Sequence, residues 1–121
     1  MPSAPVFAAD LARDLPPADF LRVLELFRTD VVQLTEKIEA AAAAGHPEAL
    51  RRSAHALAGA AGTVGCADLA AACRIIMRRP DAEMDLAQSA ATIRSLADAA
   101  LQDLDIAIAQ ARAGGGQVGS A

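Results

Sequence analysis

The sequence has no tryptophan and no tyrosine, and only three phenylalanines in 121 residues. Large aromatic side chains therefore cannot dominate its core. More than half of the residues are apolar and nearly half of those are alanine, a composition that favours closely packed helices. Basic residues are not in excess. A net charge of -4 argues against a nucleic-acid binder, which needs a basic face or stripe. No apolar run is long and uninterrupted enough to span a bilayer, and the first residues lack the basic start and apolar centre of a signal peptide, so the cytoplasm is the expected compartment. The two cysteines, Cys66 and Cys73, fall on one predicted helix about 10 Å apart along its axis, too far for a disulfide, which fits a reducing compartment. There is no internal repeat, no glycine-rich nucleotide loop before a helix and no carboxylate pair set in an apolar pocket. An autonomous kinase activity is not expected.

What is present is helical periodicity over one domain's length. Residues 1–6, MPSAPV, carry two prolines and no pattern and are expected to be a flexible lead-in. Phe7 to Asp14 is expected to be a short lid helix, ended by Leu15-Pro16-Pro17. From about Pro17 a long helix places Phe20, Leu24, Phe27, Val31, Leu34, Ile38 and Ala41 on one seam, at alternating spacings of four and three. Gly45-His46-Pro47 ends that helix and opens the next, which runs to Val64 and stops at Gly65. A further helix, Cys66 to Arg79, turns Leu69, Ala72, Cys73 and Ile76 to the core and ends before Pro80. The last helix, about Ala82 to Arg112, carries Leu86, Ile93, Leu96, Ala100, Leu104 and Ile108 on one face. Short connections between long helices predict antiparallel neighbours, hence an all-α, up-down-up-down four-helix bundle over residues 7–113, with 114–121 a disordered tail beginning at Gly114-Gly115-Gly116.

The stretch Arg51 to Gly65, RRSAHALAGAAGTVG, does not follow from helix physics alone. At about 100° per residue, Leu50, Ala54, Leu57, Ala61 and Val64 share roughly 80° of arc and form a buried stripe. His55 lies about 140° from its centre and faces water. Its neighbours on the outer face are Arg51, Arg52, Ala58, Gly59 and Gly62, three of them very small. An exposed helical glycine costs roughly 1 kcal/mol relative to alanine, so stability does not account for two of them. Access does. A patch poor in side chains beside an exposed imidazole lets another protein bring a reactive group close.

Residues His55-Ala56-Leu57-Ala58-Gly59-Ala60-Ala61, followed by Gly65, Leu69 and Cys73, resemble the signature of histidine-containing phosphotransfer (HPt) domains, four-helix modules of multistep phosphorelays. Ala54, His55, Leu57, Gly59, Ala60, Gly65, Leu69 and Cys73 fit that pattern, and the likeness in architecture extends from about Phe7 to Arg112. The resemblance implies that His55 accepts a phosphoryl group from the aspartyl phosphate of a receiver domain and delivers it to another. It implies response-regulator receiver domains as partners, with a hybrid histidine kinase as a further one. The receiver supplies the acidic pocket and its Mg²⁺, so this chain needs no cofactor or metal of its own. Two positions depart from the family. Ala58 stands where a lysine is usual, and Met77, twenty-two positions after the histidine, stands where many members carry a polar side chain that hydrogen-bonds the ring.

Phosphorylation brings about two negative charges, which cations should stabilise. Arg51 and Arg52, roughly one turn before His55, are the first candidates; Arg74, Arg78 and Arg79 on the next helix are expected to rim the patch with less weight. His46, beside Pro47 in a turn, is read as an ordinary surface residue. A zinc site from His46, His55, Cys66 and Cys73 has no compact spacing, and Cys73 reads as a small core residue. The leading alternative in function is an HPt-like module that sequesters a receiver or a kinase without transferring phosphate.

Overall fold

The computed structural model describes the backbone of residues 13–120 and the side chains as far as Gly114. Most of the expected lid helix, like the lead-in before it, lies outside the described residues. Its last two residues, Arg13 and Asp14, are helical. Four long helices follow: α1 (Pro17–Ala44), α2 (Pro47–Val64), α3 (Ala67–Arg78) and α4 (Leu86–Ser120). No strand occurs among the described residues. Each helix packs on two others in a ring, α1 on α2, α2 on α3, α3 on α4, and α4 back on α1.

Two of the three junctions share one construction. After α1, Gly45 takes a left-handed φ of 73°, its N–H donates to Ala42 O, and the N–H of His46 donates to Ala41 O. After α2, Gly65 has φ 76°, with the Gly65 and Cys66 N–H groups donating to Gly62 O and Ala61 O. This double bond pattern satisfies the last carbonyls, and it needs glycine because a Cβ disfavours that φ. One residue later the next helix begins. The third junction is built differently. Arg79 is extended ahead of Pro80, Asp81–Glu83 form a 3-10 turn, and α4 starts at Leu86 rather than near Ala82. The reason is a stronger cap downstream, since the Asp85 carboxylate accepts from the Gln88 N–H at 2.9 Å. Beyond Arg112, where the helix was expected to stop, the α4 backbone continues through Gly114-Gly115-Gly116 to Ser120. The backbone ladder needs no side chains, so glycine can extend it at a propensity cost of about 1 kcal/mol each.

The core joins Leu24, Val31 and Ile38 of α1 to Leu50 and Leu57 of α2, Leu69, Cys73 and Ile76 of α3, and Ile93 and Leu104 of α4, all essentially inaccessible. Ala54, Ala61, Ala70, Ala97 and Ala100 fill the spaces between them, as an alanine-rich interior requires. The expected seam of α1 shifts in the middle. Leu34 is half-buried, and Thr35 is fully buried in its stead. Because α1 faces both α2 and α4, its buried strip is wider than a single seam, and residue 35 sits on it from both Val31 and Ile38.

Ion pairs lace α1 to α4: Arg112 with Glu25, Arg28 with Asp105, and Arg94 with Glu39. Along these three pairs the residue number rises on α1 as it falls on α4.

Candidate functional site

Helix α2 has a buried stripe and two flanks, and the flanks decide the site. By the 100° step, Ala58, Arg51, Gly62 and His55 lie on one flank, while Ala60 and Thr63 lie on the other. The structure sets α3 against the first and α1 against the second. His55 is exposed on the middle of α2, as the wheel predicts. It borders an open depression between α2 and α3, shared with Ala58, Gly59, Arg74, Met77 and Arg78.

Ala58 corrects the sequence reading. It was placed on the outer face but is only 5% exposed and belongs to the core. On the wheel it stands about 80° from the centre of the apolar stripe, close enough for α3 to cover it. It is the floor of the depression rather than part of its rim.

Gly59 and Gly62 are both exposed, yet for different reasons. A Cβ on Gly59 would meet nothing within 4 Å, so nothing in the described chain demands glycine there. A Cβ on Gly62 would lie 3.4 Å from Nη2 of Arg74. The Arg74 guanidinium therefore lies against α2 beside Gly62, within contact distance of any side chain placed there.

The arginines also rearrange. Arg51, a first candidate for the phosphate side, is half-buried and committed elsewhere: its Nη2 donates to Arg79 O at 2.7 Å and pairs with the Asp81 carboxylate. It ties the start of α2 to the connection after α3. Arg52 is exposed, about 60° round the helix from His55 and on the side away from α3. Arg74 and Arg78, which sequence reasoning ranked below these two, are the cations that line the depression with His55. They stand four apart on one face of α3. The missed signal was that spacing, combined with the packing of α3 on the His55 flank.

Met77 is half-buried in the wall of the depression and packs on the core. It offers no polar hydrogen to an imidazole. On the opposite flank, a second depression between α1 and α2 is lined by Val23, Leu26, Phe27, Asp30, Ala60 and Thr63, with Leu26 58% exposed. The outer face of α2 is thus bounded by guanidinium groups on one side and apolar side chains on the other.

Cys66 and Cys73 are buried free thiols. Burial pushes both toward the protonated form, Cys73 to about 11. A protonated thiol is neither a nucleophile nor a metal ligand. Among the described residues no three His, Cys, Asp or Glu side chains gather into a group that would hold a metal ion, and no helix is long and apolar enough to cross a membrane. His46 lies in the α1–α2 junction, where its carbonyl accepts from the Leu50 N–H.

Comparison with curated proteins and with solved structures found no match. The family model for the Hpt domain matches residues 22–114, a span that contains nearly all of α1, the whole of α2 and α3, the depression beside His55 and most of α4. An exposed histidine at mid-helix, glycines on the same face and a ring of four helices therefore occur within one continuous family match, and the chain belongs to the Hpt domain family.

Proposed function

We propose that this protein relays phosphoryl groups between receiver domains of a multistep phosphorelay, with His55 as the acceptor. The observation that carries the reading is the exposed His55 at the centre of α2, on a face that Gly59 leaves open, within the family match. In this step a neutral imidazole nitrogen attacks the phosphorus of an aspartyl phosphate. The P–O bond to the carboxyl group breaks, the aspartate leaves as carboxylate, and a P–N bond forms. Onward transfer reverses these roles on a second receiver. The chain acts as a phosphocarrier in this reading, without kinase activity of its own, and its compartment is the cytoplasm. Receiver domains, and a hybrid histidine kinase, dock on the outer face of α2 between the guanidinium-lined and apolar flanks.

For the bundle we infer up-down-up-down order. The opposite numbering of the α1–α4 ion pairs supports it, as do the α2–α3 neighbours, where Arg51 meets Arg79 and Gly62 meets Arg74.

The test is incubation with a panel of phosphorylated receiver domains, followed by assay for acid-labile, base-stable label. His55→Gln is expected to fold normally and take no label; label retained on His46 would refute the assignment. Met77 favours one second reading, a module that binds receivers without accepting phosphate, because it cannot orient the ring by a hydrogen bond. Tight receiver binding by a wild-type chain that never labels would establish that reading instead.

A further inference from the structure

We propose that Arg74 and Arg78 form an anion clasp beside His55, closing on the oxygens of the phosphoryl group once it is on the ring. The proposal rests on the phosphotransfer reading and names the cations of that site, which the family pattern would place at position 58.

The other candidates are removed one by one. Ala58 carries no charge and is buried. Arg51 is engaged by Asp81 and by the Arg79 carbonyl. Arg52 projects on the far side of His55 from the depression. Arg79 is extended beyond the end of α3 and does not line the depression, so Arg74 and Arg78 remain, and both line it with His55.

Their own electrostatics point the same way. Arg28, Arg51, Arg94 and Arg112 each pair with a carboxylate. Arg74 and Arg78 have no carboxylate partner among the described residues. Like charges four apart on a helix repel, so the placement is unfavourable until an anion lies between them. The C-terminal end of the α3 dipole explains Arg78, in the last turn, but not Arg74, a turn further in. Gly62 places Arg74 against α2, since a Cβ there would stand 3.4 Å from Nη2, in contact with the guanidinium. Two planar guanidinium groups match a doubly charged phosphoryl group in charge and in donor geometry.

The test uses potassium phosphoramidate, a small anionic donor that needs no receiver. A neutral imidazole nitrogen attacks phosphorus, the P–N bond to the donor breaks with its electron pair leaving as ammonia, and the ring proton passes to solvent. If the clasp exists, Arg74→Gln/Arg78→Gln labels His55 more slowly at low ionic strength, on the order of three- to tenfold, and the gap closes as salt is added. Restoring charge with Arg74→Lys/Arg78→Lys recovers part of the rate, while Arg112→Gln, which removes a cation from the α1–α4 face, stays within about twofold of wild type. Circular dichroism checks that each variant stays helical, and the single variants replace the double one should it unfold. A wild-type rate in the neutral variant, a slowdown indifferent to salt, an equal effect of Arg112→Gln, or a wild-type chain that phosphoramidate does not label at His55 would each overturn the clasp. Normal labelling by phosphoramidate with none from any receiver would instead overturn the relay and leave the clasp standing.

Discussion

Thr35 is completely buried, and its hydroxyl is the one buried side-chain polar atom without a partner among the described residues. A buried group that cannot hydrogen-bond loses its hydration with no compensation, at about 1–3 kcal/mol. Valine keeps the shape and removes the hydroxyl. Thr35→Val is therefore expected to raise stability by about 1 kcal/mol, read as a higher urea midpoint with an unchanged slope. Ser89, equally buried, differs in having its hydroxyl 3.4 Å from the Met84 sulfur. Cys73 shows the benign form of the same burial, for a thiol held protonated behaves as a small apolar side chain.

The helices owe their ends to a few residues. Gly45 and Gly65 stop α1 and α2 in the left-handed conformation, and each hands the chain to the next helix after a single residue. α4 is the exception, because it begins after an irregular connection and depends on Asp85 for its first turn. Asp85→Ala is expected to lower the melting temperature, with a loss of about 1 kcal/mol, whereas Asp85→Asn retains most of the cap. Arg51 reinforces the same region from α2 by holding Arg79 and Asp81. The element that carries His55 is thereby tied to the end of the helix that carries Arg74 and Arg78.

Across the whole molecule, α1 and α4 close the ring, and their contact is the most heavily charged. Arg94 grips Glu39 with Nε on Oε2 at 3.0 Å and Nη2 on Oε1, and also reaches Asp98. The Arg94 hydrogen bonds hold the Glu39 carboxyl below its ordinary value of 4.5, against a smaller opposing effect of burial, with direct charge attraction adding to them. A depressed carboxyl stabilises the fold fully above its unfolded value. That contribution is lost as pH falls below that ordinary value and through the lowered folded one. Both side chains are more than a third exposed, 41% for Glu39 and 35% for Arg94, so solvent screening keeps the contribution within about 1 kcal/mol. Urea midpoints at pH 7 and pH 3 check it. Glu39→Gln is expected to be slightly less stable than wild type at pH 7 and to lose less on acidification.

Much of this was legible in order along the chain. Heptad spacing located α1, the Gly45 and Gly65 stops located α2, and Pro80 located the end of α3, because each depends on local backbone geometry and on periods of three and four. The exposure of His55 followed from the same wheel. The start of α4 is also written locally, in Asp85 with Gln88 three residues on, but Pro80 marks only where a helix ends and leaves several residues after it able to begin the next. Leu34 and Thr35 could not be ranked from one helix, since the width of a buried strip depends on how many neighbours it faces. The sequence by itself determined an all-helical chain, the position of its turns and a histidine facing out beside glycines. Which flank of α2 meets α3 was decided only by tertiary packing, and that choice buried Ala58, engaged Arg51 and brought Arg74 and Arg78 to His55. A helical wheel records angles around one axis, whereas the neighbours of a side chain are set by where the other axes lie.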